Sequence, residues 1–135
     1  MDKALAHITR EWLTKGWHDL QTARITASAA DGPLDTAIYH CQQAAEKILK
    51  ALLSDLGVRF RKTHNIRSLM RLIADSGCPL PAELTGLEEF TPFAVAYRYE
   101  DYEPDSSLDR DQARLKLRTL RSWVEAKLQE RRPGE

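Results

Sequence analysis

The residues best suited to chemistry lie in two short stretches. One is Arg59-Phe60-Arg61-Lys62-Thr63-His64, where an arginine precedes a histidine with four residues between them. The other is Ala96-Tyr97-Arg98-Tyr99, a lone arginine between tyrosines. A guanidinium can hold phosphate oxygens through its N–H fork, and a histidine can pass a proton near neutral pH. Proton transfer by His64 would need Arg98 or His40 to come near it. Arg59, Arg61 and Lys62 can also attract RNA, a nucleotide or another phosphate-bearing ligand without any reaction. Tyr99 can stack on a base, although aromatic residues near a helix seam more often bury apolar surface. One Arg–His spacing is a weak motif, and the plainer reading has His64 ordering the start of a helix.

A third group sits further upstream. His40, Gln43 and Lys47 recur at helical spacing and share a polar side, where His40 and Lys47 can bind phosphate or line a dimer groove. The plainer reading is a polar bundle or subunit surface. Glu46 and Lys50 follow at i,i+4, a spacing suited to a modest surface ion pair. His7 and His18 belong to no ligand cluster, and Cys41 and Cys78 form no metal-ligand pattern. No metal and no cofactor is implied.

Helices must position all of these groups. Leu5, Ile8, Trp12, Gly16, Leu20, Ala23 and Ala27 trace one face of a first helix over residues 3–30. Asp31-Gly32-Pro33 should stop it. A second helix over 34–56 carries Ala37, Cys41, Ala44, Ile48, Leu52 and Leu56, widened by Ile38, Ala45, Leu49 and Leu53, and Gly57 ends it. The short link predicts an antiparallel pair. Thr63 is a candidate cap for a third, shorter helix through 64–75, which packs through Ile66, Leu69, Met70 and Ile73. A further helix over 82–98 is interrupted by Gly86 and Pro92, and Pro92 can begin a second helical segment. A last helix over 106–130 presents Ala113, Leu117, Leu120, Val124 and Leu128, with Leu115 off its stripe. The predicted fold is all-α, an antiparallel up-down bundle of four main helices with a short accessory helix, in a single domain over 1–135.

The chain has 135 residues, with 20 basic and 20 acidic side chains, so its net charge gives no support to non-specific nucleic-acid binding. The distribution is uneven. Residues 57–71 hold Arg59, Arg61, Lys62, Arg67 and Arg71 without an acidic residue, whereas 83–111 hold nine acidic residues against Arg98 and Arg110. No apolar run approaches the length of a membrane span and the start lacks a secretory pattern, so a cytoplasmic protein is expected.

Trp12-Leu13, Asp19-Leu20, the run from Cys41-Gln42-Gln43-Ala44-Ala45-Glu46-Lys47 to Leu52, Lys62-Thr63-His64-Asn65-Ile66 and Ala96-Tyr97-Arg98-Tyr99 occur in one order over most of the chain. In this order they resemble the HEPN domain family. The resemblance implies a helical bundle, often a homodimer, commonly beside a minimal nucleotidyltransferase in prokaryotic defence or toxin–antitoxin systems. Many members are RNA-cleaving toxins and others lack that activity. Active relatives carry an arginine followed, after four to six residues, by a histidine near a late helix. Arg98 matches that arginine, but Glu103, Pro104 and Asp105 stand where the histidine would be, and no histidine follows Arg98. The expectation is therefore a noncatalytic interaction or nucleotide-binding protein. The alternative that the resemblance implies is a metal-independent ribonuclease with a divergent site centred on Arg98, with His64 and acidic residues in an altered arrangement. In it the RNA 2′-hydroxyl attacks the adjacent phosphodiester.

Overall fold

The computed structural model describes residues 3–29, 34–84 and 110–131. Their regular structure consists of α1 (Lys3–Ser28), α2 (Leu34–Asp55), α3 (Ile66–Asp75), a 3-10 turn (Ala82–Leu84) and α4 (Arg110–Arg131). No strand occurs among the described residues, and the fold is the all-α up-down bundle that the helical periodicities predict. The Asp31-Gly32-Pro33 break and most of the 82–98 segment lie outside the described residues.

Helix α2 is the central element. It packs against α1 along its length and also against α3 and α4. Its apolar stripe is buried, with Ala44, Ile48, Leu49, Leu52 and Leu53 all removed from water. Leu117, Leu120 and Val124 of α4 complete the same core, as do Ile66, Leu69 and Ile73 of α3. The α1–α2 pairing is antiparallel, because rising numbers on α1 meet falling numbers on α2. Trp12 lies at Lys50, Gly16 at Ile48 and Asp19 at His40. Gly16 is needed at the crossing: a Cβ there would stand 2.9 Å from Cγ1 of Ile48 and 3.6 Å from the Ala44 carbonyl.

The buried face of α1 differs from the predicted one at its start. Ile8 is 41% exposed, whereas Thr9 is buried. At 3.6 residues per turn Thr9 lies about 20° from Gly16 around the helix, whereas Ile8 lies about 80° away. Contact with α2 is thus set by the glycine crossing rather than by the apolar residue next door.

Two helix ends follow backbone chemistry. After α2, Gly57 adopts φ 73 and the Val58 N–H donates to the Leu53 carbonyl at 3.0 Å. After α3, Gly77 adopts φ 88 and the Cys78 N–H donates to the Ile73 carbonyl at 3.3 Å. Both are left-handed closures that glycine accepts without a Cβ penalty. The start of α3 corrects the sequence expectation. Asn65, not Thr63, is the N-cap, and its side-chain oxygen accepts from the Ser68 N–H at 3.2 Å. The Thr63 hydroxyl instead accepts from the Asn65 N–H at 3.0 Å.

Candidate functional site

The polar side of α2 resolves into two carboxylate-centred clusters. The first is built on Glu46, which is 2% exposed. Its Oε1 receives Lys50 Nζ at 2.8 Å and lies 2.8 Å from His64 Nδ1. Its Oε2 accepts from Gln42 Nε2 at 2.9 Å, and Gln43 Nε2 donates to Gln42 Oε1 at 2.6 Å. Gln42 Nε2 also reaches the His64 carbonyl at 3.4 Å. Lys50, 5% exposed, is roofed by aromatic rings, with Nζ 5.2 Å from the Trp12 centroid and 6.0 Å from that of Phe60. The face of a ring is negative, so this roof partly replaces water around the ammonium. Glu46 and Lys50 are therefore a buried pair rather than the surface pair that the spacing predicts. The 58–64 connection and Trp12 close over them, a tertiary event that helical periodicity does not encode.

The second cluster is built on Asp19 of α1. Asp19 Oδ1 lies 3.0 Å from His40 Nδ1, and Oδ2 receives Lys47 Nζ. The three side chains are partly exposed and stitch α1 to α2. The Tyr39 and His40 rings meet in a T-shaped contact, with centroids 5.3 Å apart. His40 and Lys47 do share a site, but its centre is an α1 carboxylate that answers their charge.

The structure does not bring His64 and His40 together on one group. His64 faces Glu46, and His40 faces Asp19. Arg98 and Tyr99 lie outside the described residues, as do Tyr97 and the acidic 100–105 run. Among the described residues no group of three or more His, Cys, Asp or Glu side chains is placed to hold a metal ion. No helix there is long and apolar enough to cross a membrane.

Arg59 and Arg61 stand in the α2–α3 connection, and with Arg71 of α3 they line a surface cavity of about 470 Å³. Phe60 and Leu72 form its apolar wall, and Asp75 lies at the same cavity. Lys62 is exposed next to it but is not part of its lining. Arg71 was legible only as one member of the basic 57–71 block; its place opposite Arg59 follows from the packing of α3. Trp17 and Trp123 pack against the core, and the guanidinium of Arg121 lies 4.4 Å from the Trp17 centroid. Cys41 is buried and Cys78 half-buried, and neither is in a disulfide.

Known proteins bear directly on this geometry. A family model for the HEPN domain matches residues 9–129. Among solved structures, the crystal structure of an archaeal HEPN homologue superposes with a TM-score of 0.63 at 24% identity. The match covers 89% of this chain and 97% of the archaeal one. A comparison with curated proteins found no match.

Proposed function

The chain belongs to the HEPN domain family, and on that premise we propose that it is a noncatalytic interaction module. In this reading it is a cytoplasmic homodimer that pairs with a minimal nucleotidyltransferase in a toxin–antitoxin or defence system. The observation that carries the reading is the disposition of the histidines. All four precede Arg98 in the chain, so no histidine follows the arginine that matches the motif of active relatives. His40 of α2 and His64 of the α2–α3 connection are engaged by different carboxylates. Glu103 and Asp105 follow Arg98 instead, and a carboxylate beside a phosphodiester repels it. The polar residues of α2 serve helix packing in this reading: Glu46 and Asp19 neutralise the basic groups that would otherwise meet a phosphate.

Coexpression of the full chain with a nucleotidyltransferase encoded beside it tests the proposal. Size-exclusion chromatography with light scattering should show the chain alone as a dimer, and the two polypeptides eluting together. A monomer that leaves the enzyme uncomplexed overturns it.

A further inference from the structure

Charge is partitioned along this chain in a self-complementary way. Residues 57–71 hold Arg59, Arg61, Lys62, Arg67 and Arg71 without an acidic residue. The run Glu100-Asp101-Tyr102-Glu103-Pro104-Asp105 holds four carboxylates without a basic residue. The 20 basic and 20 acidic side chains cancel only over the whole sequence.

The basic block folds into a shaped surface, the cavity of the α2–α3 connection. Arg59, Arg61 and Arg71 line it, Phe60 and Leu72 form its apolar wall, and Asp75 lies beside them. All three arginines are exposed. Among the described residues none of them makes an ion pair or a side-chain hydrogen bond, and Asp75 pairs with none of them. Their positive charge is thus left for another molecule to answer. The walls are already fixed. His64 and its carbonyl tie the connection to Glu46 and Gln42, and the Phe60 ring lies 6.4 Å from that of Trp12 between centroids. The Asn65 cap holds the start of α3 on the other side. A surface set in advance loses little order when something docks on it.

We infer that this cavity receives the acidic 100–105 run of a second copy of the chain. The carboxylates of the run pair with the three guanidiniums, whose forked N–H groups match a carboxylate. Tyr102 lies against the Phe60 and Leu72 wall, a contact typical of aromatic residues at protein interfaces. Pro104 has a fixed φ, which lowers the chain entropy lost on docking. Asp75 accepts from a backbone N–H, a donor that any peptide brings. Under twofold symmetry each copy gives one run and one cavity, so both contacts form together and the assembly closes at two. The inference rests on the homodimer of the proposed function and names the contact that holds it.

Charge reversal in the full chain, read by sedimentation equilibrium at ~0.1 M salt, provides the test. One variant carries Arg59→Glu with Arg71→Glu in the cavity, and another carries Asp101→Lys with Glu103→Lys in the run. Each alone sets like charges against each other, so its dimer dissociation constant should rise by roughly tenfold or more. Mixed in equal amounts, the two variants should associate again, because every run in the mixed dimer meets a cavity of opposite sign. Arg118→Glu, at an exposed position on α4, should leave the dimer unchanged. Circular dichroism should show unaltered helicity in all of them. A monomeric unaltered chain overturns the contact and the homodimer together. If the unaltered chain is a dimer, persistence of that dimer in both reversed variants overturns the contact alone. So does failure of the two variants to associate on mixing, the result expected if the run met the cavity of its own chain.

Discussion

Glu46 holds Lys50 and His64 on one oxygen and Gln42 on the other; Glu46, Gln42 and Lys50 are buried, while the His64 side chain is 45% exposed. Asp19 also holds two basic groups, but its partners His40 and Lys47 are each about a quarter exposed at the side chain. The difference in solvent decides their energetics. Removing one partner of a buried pair strands the other charge, at a cost of about 3–5 kcal/mol. A pair in contact with water contributes about 1 kcal/mol or less. Urea unfolding should therefore show Glu46→Ala destabilised by about 3 kcal/mol and Asp19→Ala by about 1 kcal/mol. Equal losses would contradict the burial of the Glu46 cluster. A double-mutant cycle checks the coupling: Glu46→Gln with Lys50→Met should cost less than the two single losses added together, because neither charge is then left alone.

At the scale of elements, α2 is held by a close crossing on one side and by a capped short helix on the other. Gly16→Val would drive a branched side chain into Ile48, and overpacking of this kind costs about 1–3 kcal/mol. A thermal melt should show a lower midpoint; an unchanged one would contradict the crossing. Asn65→Ala removes the oxygen that accepts the Ser68 N–H and should cost about 1 kcal/mol. Amide exchange should then quicken in α3 while α1 and α2 keep their protection. The helices themselves were legible because Ala44, Ile48 and Leu52, or Leu117, Leu120 and Val124, repeat at helical spacing whatever surrounds them. The burial of Glu46 and Lys50 was not. A helical wheel assigns charge to solvent, and only the return of residues 58–64 with Trp12 overhead makes that side an interior. The choice of Asn65 over Thr63 as the cap was similarly out of reach, since both are good capping types two residues apart. Ile8 misled for a related reason: an apolar side chain marks the core only when the crossing point of the helices is known.

For the whole molecule, bundle and family converge. The helical architecture places the run from Gln42 to Lys50 at the centre of the structure, and the family match spans nearly the entire chain. That run, the most recognisable piece of the sequence, is used up in packing and in buried pairing. The candidate site was only half legible. The basic composition of residues 57–71 flagged Arg59 and Arg61, but their convergence with Arg71 depends on how α3 folds back onto the connection. The central claim is that the protein assembles with a partner and does not cut RNA. The most direct test is incubation of the purified full chain with a diverse RNA pool in chelator, beside the Arg98→Ala variant, with cleavage read at nucleotide resolution. The account predicts indistinguishable, uncut profiles for the two proteins. Metal-independent cleavage by the unaltered chain that disappears in Arg98→Ala would contradict it.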